Sequence, residues 1–326
     1  MSWLKPRPTN ILVLLHRVSK PRAVRSGQSK SGAGFTIQAG SPSNLRVNKW
    51  SLRPNRGSAL PASPTNSLLE LTVLGSGTSM GVPTLTCHCR VCSSKDPRDN
   101  RMRPSVLLVH NGQTAVIDTT PDFRQQALRV GLERLDAILF THAHADHILG
   151  FDDIRPFNLR QRSALPVYAS LETIATLKHM FAYVFDSAPA VSTIPQVTLH
   201  PVDGPFEVIG TRIVPIPARH GDIGVLGFRF GSAAYLTDFS VLPETSKPLL
   251  AGLDDLVLDA LRDVPHPMHQ TVEQALEVVR ELQPRRAWFT HIAHELPHSE
   301  TNERLIAAGF PHVSLAYDGL RFEVHV

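Results

Sequence analysis

From Leu68 onward, short apolar runs alternate with polar, glycine-containing breaks, the rhythm of many short strands interleaved with a few helices. Leu68 to Leu74 reads as a strand feeding a glycine loop, Gly75 to Gly81. Ser105 to Val109 and Thr114 to Asp118 read as strands flanking an Asn111-Gly112 hairpin turn. Phe123 to Val130 has helical spacing, and Leu135 to Phe140 is a continuous apolar run of the kind that forms a buried strand. Gly150 to Arg155 is polar and reads as a loop. Ser170 is placed to cap a helix with Ile174, Leu177, Phe181 and Val184 along one face. Pro201 to Pro217 reads as strand pairs, with His220 following the last of them. Three later strands run into Asp238, Asp259 and His291. Between the second and third, Thr271 and Gln274 form a capping box opening a helix with Val272, Leu276, Val279 and Leu282 inward. Ala316 to Leu320 is a turn before the last strand.

The first 66 residues break this rhythm. They are rich in Pro, Ser, Gly, Arg and Lys, with 11 basic residues and no Asp or Glu. The reading is a disordered basic extension, 1–66, before one domain, 67–326. It fits a transit peptide, a nucleic-acid-binding arm, or a start placed upstream of the biological one. The domain itself keeps 22 basic against 29 acidic residues, a net of −7, although the whole chain is +4. That balance argues against a basic nucleic-acid surface. No run approaches the ~18 apolar residues of a membrane span, and Ile11 to Leu15 is too short for a signal-peptide core. With 42% apolar residues the chain can bury a sizeable core. Three cysteines within six residues, Cys87, Cys89 and Cys92, do not make a disulfide framework.

The chemistry concentrates at Thr141-His142-Ala143-His144-Ala145-Asp146-His147. Alternate residues of an extended segment point the same way, so His142 and His144 can converge on one metal ion. Asp146 and His147, after a turn, can face a second. His220 is well placed as a further ligand, although a single loop histidine is ordinarily surface. Asp238 at a strand end could bridge two cations or be an ordinary turn aspartate. Asp118 reads as a partner orienting a ligand histidine, and Asp259 as structural. His266 and His269, just before a helix, sit where a proton donor at a site rim could stand.

Cys87-x-Cys89-x-x-Cys92 places three thiolates on one loop, three corners of a tetrahedral zinc site. His88 is adjacent, and His294, three residues beyond His291, is the candidate fourth ligand. The Gly75-Ser76-Gly77 loop lacks the third glycine of a dinucleotide fingerprint and does not open a helix. It reads instead as a tight turn that brings backbone close to the metal centre.

H-x-H-x-D-H, the Gly-rich first turn, C-x-C-x-x-C and the Thr290-His291-x-x-His294 close resemble the metallo-β-lactamase superfamily. Within it, the pattern is similar to the phosphodiesterases that open a phosphoribosyl cyclic phosphate in phosphonate breakdown. The resemblance implies an α/β fold, the αββα sandwich, over the whole domain. It implies two divalent ions, zinc or manganese: His142, His144 and His220 on the first, Asp146, His147 and His291 on the second, Asp238 between them. It implies a separate structural zinc on Cys87, Cys89, Cys92 and His294. His269 is the expected phosphate contact, with His266 the alternative, and Asp146 the expected aid to proton transfer. The implied reaction is hydrolysis of a small, cyclic phosphodiester through a metal-bridging hydroxide. The expected protein is cytoplasmic, or organellar if the extension is a transit peptide, with a homodimer left open and neither membrane nor nucleic acid as partner. Two rivals share parts of the pattern: a tRNA 3′-processing endonuclease, and a non-catalytic metal-binding protein of quinone-cofactor biosynthesis.

Overall fold

The computed structural model describes residues 68–186 and 192–326; the basic extension and the Ile11 to Leu15 run lie outside the described residues. The first half of the domain contributes strands β1 (Leu68–Gly75), β2 (Ser105–His110), β3 (Gln113–Ile117), β4 (Ala137–Leu139), β5 (Leu165–Ala169) and β6 (Val197–Pro201). The second half contributes β7 (Phe206–Val208), β8 (Thr211–His220), β9 (Ile223–Phe230), β10 (Ala233–Leu236), β11 (Asp255–Asp259), β12 (Arg286–Thr290) and β13 (Val313–Leu315). The last strand, β14 (Arg321–His325), returns to the first sheet beside β1, giving two seven-stranded sheets ordered β14-β1-β2-β3-β4-β5-β6 and β13-β12-β11-β10-β9-β8-β7.

Residues alternate between two apolar environments along the inner strands, because both faces of each sheet are covered. On β3 and β4, Ala115, Ile117, Ala137 and Leu139 point between the sheets, where they meet Phe228, Phe230, Tyr235 and Val257. Their neighbours Val116 and Ile138 point outward, against α1 (Phe123–Val130) and the helices that follow it, α2 (Ala145–Ile148), α3 (Arg155–Gln161), α4 (Leu171–Met180) and α5 (Ala182–Phe185). The second sheet does the same: Ala234, Leu256 and Leu258 pack beneath α6 (Val272–Leu282) and α7 (His298–Ala307). The layers are helix, sheet, sheet, helix, the expected αββα sandwich.

One stretch departs from the expected loop. Residues Phe151–Ile154 form a 3-10 turn that runs into α3. Asp152, Asp153 and Arg155 made the segment look polar, but Phe151, Ile154 and Phe157 are buried on its inner side. The charged residues are the outward face of a helical turn, with Arg155 paired to Asp152.

The glycine loop after β1 also answers to a neighbour other than the one expected. A Cβ on Gly75 would lie 1.9 Å from the Arg103 carbonyl oxygen, and one on Gly77 would lie 2.8 Å from that of Arg101. These glycines admit the backbone of residues 101–103. The loop reaches the functional edge indirectly, by exchanging hydrogen bonds with Ile292, the residue after His291.

Candidate metal centre

Parallel pairing gathers the chemistry at one edge. β3 and β4 are parallel, as are β10, β11 and β12, and β8 runs the same way as β10 across the intervening β9. Their carboxyl ends therefore lie together and deliver Asp118, the 141–147 loop, His220, Asp238, Asp259 and His291 to one place. Asp118, Asp238 and His291 each take a left-handed backbone, with φ of 66°, 56° and 58°. Such conformations cost free energy in residues other than glycine and concentrate at functional sites. Here each one turns the chain sharply as it leaves its strand.

The side chains form two neighbouring groups. His142, His144 and His220 bring one nitrogen each within 4.8 Å of one another, as do the ligand atoms of Asp146, His147, Asp238 and His291. Asp238 spans the middle, with Oδ2 3.3 Å from His147 Nε2 and Oδ1 3.1 Å from His291 Nε2, and it also groups with His220 and His269. Asp146 lies 3.3 Å from His147 Nε2.

The outer contacts of the histidines fix how their rings face. The His220 Nδ1–H donates to the Met268 carbonyl at 2.7 Å, turning Nε2 inward. The His147 Nδ1–H donates to Asp118 at 2.8 Å, so its Nε2 also faces the centre. The Nε2 atoms of His142, His147 and His291 are buried with no hydrogen-bond partner. Orphaned buried polar atoms are uncommon in folded proteins. Imidazole nitrogens left open beside carboxylates are the donor set that a divalent cation takes, so these residues fit the metal ions the fold family implies.

Electrostatics points the same way. Burial holds His142, His144 and His220 below the usual imidazole range, in the neutral form that ligation requires. His147 and His291 go the other way: burial opposes their charge, but Asp238, Asp146 and neighbouring carboxylates outweigh it and raise both. Burial likewise opposes ionisation of Asp238 and Asp146, yet the same histidines hold both well below the usual carboxylate range. Buried carboxylates demand positive charge close by, and a cation would supply it in place of those protons.

His269 stands at the inner wall, its ring stacked on His291 at 4.4 Å and 4.6 Å from that of His220. His266 is one step outward, its ring 5.1 Å from that of His269, and it joins none of the ligand groups that include His269, so the structure brings His269 to the centre and leaves His266 at its rim. Asp259, expected to be structural, is fully buried behind both: Oδ1 lies 3.4 Å from His269 Nδ1 and 3.6 Å from His291 Nδ1, while Oδ2 accepts the Gln270 N–H. The only signal in the sequence was that Asp259, like Asp238, ends an apolar run.

The second cluster is separate. Sγ of Cys87, Cys89 and Cys92 lie 3.2, 3.4 and 3.5 Å from His294 Nδ1, and His88 is exposed and turned away. The backbone N–H of Cys92 lowers the Cys89 thiol to about 6, while burial pushes Cys92 up to about 11. Three sulfurs around one imidazole nitrogen fit a tetrahedral S₃N zinc site. The segment carrying His294 is clamped by Arg101, which donates to the Ala293 and Leu296 carbonyls and pairs with Asp99, all buried. Nothing in the sequence marks Arg101 for this role.

Comparison with known proteins places the chain in context. A profile described as a beta-lactamase superfamily domain matches residues 113–292. A solved structure described as a new diphosphatase from the PhnP family is 49% identical, with a TM-score of 0.73 over 78% of this chain and 97% of that one. Among curated relatives, an octanoyltransferase of Porphyromonas gingivalis is 37% identical over 256 residues, 77% of this chain and 51% of that protein. A ribonuclease Z of Bradyrhizobium diazoefficiens is 31% identical over 147 residues, 44% of this chain and 48% of that one. The chain thus spans about half the length of these two curated relatives. No helix among the described residues is long and apolar enough to cross a membrane. Profile, sandwich and neighbour agree: the chain belongs to the metallo-β-lactamase superfamily and is PhnP-like.

Proposed function

We propose that this protein is a metal-dependent hydrolase that cleaves a small phosphodiester, of which a phosphoribosyl cyclic phosphate is one example. The observation that carries the proposal is the set of open imidazole nitrogens on His142, His147 and His291 around the Asp146 and Asp238 carboxylates. His142, His144 and His220 would hold one divalent ion, zinc or manganese, and Asp146, His147 and His291 a second, with Asp238 shared. Cys87, Cys89, Cys92 and His294 would hold a structural zinc. Bound divalent ions at such a centre supply Lewis acidity that activates water and stabilises phosphoryl charge. In the overall reaction water adds to phosphorus, the P–O bond to one alcohol breaks, and that alcohol leaves with a proton. His269, facing the same centre, is placed to contact a phosphoryl oxygen or supply that proton. Asp259 lies behind it, Oδ1 3.4 Å from His269 Nδ1. Asp146 stays ionised beside His147 and His291 and would accept a hydrogen bond from the attacking water, orienting it.

The 49% identical diphosphatase supports phosphoryl chemistry at this edge. A nuclease is the second reading, supported by the ribonuclease Z match, which covers under half of this chain. The test is metal content together with turnover of bis(p-nitrophenyl) phosphate, comparing the intact protein with His144→Ala. About three metal ions per chain and turnover lost in the variant are expected. One ion or fewer, or turnover indifferent to His144, would sink the proposal.

A further inference from the structure

Beside the candidate metal centre lies a cavity of about 760 Å³ lined in part by His142 and His144. Its volume falls in the ~300–1,000 Å³ range of pockets that enclose a whole drug-sized ligand. A phosphate and a methyl- or ribose-sized substituent leave much of it unfilled. The walls are largely apolar, formed by Ala143, Pro217, Ile223, Leu226 and Pro243. The hairpin that presents His220 also builds the rim, since β8 ends at His220 and Asp222, Ile223 and Gly224 follow within four residues.

The charged lining is sparse and does not suit a polyanion. Glu172 and Asp222 face the cavity with no ion pair among the described residues. The single cation lining it among the described residues, Arg219, donates through Nη2 to the Asp222 carbonyl at 3.0 Å, which ties its guanidinium to the hairpin tip. A groove that follows a nucleic-acid backbone presents several cations in a row. This one presents two free carboxylates, which accept hydrogen bonds from hydroxyl or amino groups and repel a second phosphate.

We infer that this cavity holds the group esterified to the attacked phosphate, and that this group is uncharged and nucleoside-sized. The inference rests on the hydrolase reading above and sharpens it: the preferred substrate is a phosphodiester carrying a nucleoside, rather than a sugar cyclic phosphate with a second phosphate. Apolar walls hold the flat face of a base, Glu172 and Asp222 accept hydrogen bonds from its hydroxyl or amino groups, and the scissile phosphate lies at the end lined by His142 and His144, which would hold an ion.

Two esters with the same leaving group and charge isolate the cavity: methyl p-nitrophenyl phosphate and thymidine 5′-(p-nitrophenyl phosphate). With metal-loaded full-length protein, the nucleoside ester is expected to have at least tenfold higher kcat/KM, mostly through KM. Thymidine alone is expected to compete with the methyl ester. Gly224 has room for a side chain, because an added Cβ meets no atom within 4 Å. Gly224→Leu is expected to reduce the preference at least fivefold, and Thr176→Trp, at a half-buried position of α4 on the cavity wall, is expected to do the same. Equal kcat/KM for the two esters, or a preference that neither variant changes, overturns the inference. So does faster cleavage of a thymidine oligonucleotide than of the mononucleoside ester. If neither ester turns over, the hydrolase reading fails. Thymidine binding followed by ligand-observed NMR then still decides whether the cavity takes a nucleoside.

Discussion

The Asp118 carboxylate holds the His147 imidazole from behind, Oδ2 to Nδ1 at 2.8 Å, while both side chains are fully buried. The same carboxylate accepts the backbone N–H and the hydroxyl of Thr141, each at 2.8 Å, so one residue at the end of β3 fixes both the start of the histidine loop and the ring six residues later. Asp118→Asn keeps the shape but presents a donor where one of these three donors must be accepted. Partners that orient a metal-bound histidine are typically worth 10- to 100-fold in affinity. Asp118→Asn is expected to lose metal to a competing chelator at roughly that much lower chelator activity, with the fold intact by circular dichroism. Chelator titrations that superimpose would show that Asp118 does not position His147 for a metal.

Much of this edge was legible because its residues carry their own signal. His142, His144, Asp146 and His147 lie within six positions, and Asp238 and His291 each end an apolar run. The helix Phe123–Val130 matched residue for residue, since its apolar spacing and the following Gly131, with φ of 65°, mark both face and end. What stayed hidden depends on contacts across the fold. Asp259 looks like any strand-terminal aspartate until β11 is set between β10 and β12. Phe151, Ile154 and Phe157 look interrupted by charge until the charged residues are placed on the outer side of a helical turn. Arg101 has no local motif, because its partners at Ala293 and Leu296 are nearly 200 residues away.

That buried guanidinium carries its own prediction. Arg101 is 1% exposed, and burial lowers it to about 10 although Asp99 lies 2.9 Å away. Arg101→Met leaves Asp99 buried beside an apolar side chain and two carbonyls without their donor. Breaking a buried pair from one side costs about 3–5 kcal/mol. Urea unfolding is expected to register a loss of that order, and a loss under 1 kcal/mol would mean that the clamp on the His294 segment is not held by charge.

The structural role proposed for the thiolate cluster predicts that its removal separates stability from turnover. The Cys92 N–H lowers the Cys89 thiol to about 6, so Cys89 ionises readily for a metal. Cys89→Ser is expected to lose one zinc per chain and to unfold at lower temperature, while retaining diester turnover that still depends on His144. An unchanged metal count would remove the structural site from the account. Turnover as low as that of His144→Ala would place the cluster in catalysis.

His298 gives the stability a pH dependence of known sign. It is 3% exposed, its backbone N–H donates to Asp99, and burial, followed by the Arg98 and Arg101 charges, lowers it from 6.5 to about 4. The unfolded chain therefore binds a proton on this ring between about 6.5 and about 4, where the folded chain does not. Proton binding by the unfolded state alone makes stability fall as pH falls. The contribution is complete above pH 6.5, declines through the window and is fully lost below about 4. The shift corresponds to on the order of 3–4 kcal/mol at most. Acid also strips metal from the histidine centre, so the informative comparison is with His298→Gln carrying the same metal load. The difference in unfolding free energy between the two proteins is expected to shrink steadily from pH 7 to pH 4.5. A difference that stays constant across that range would show that His298 takes up its proton equally well in the folded state.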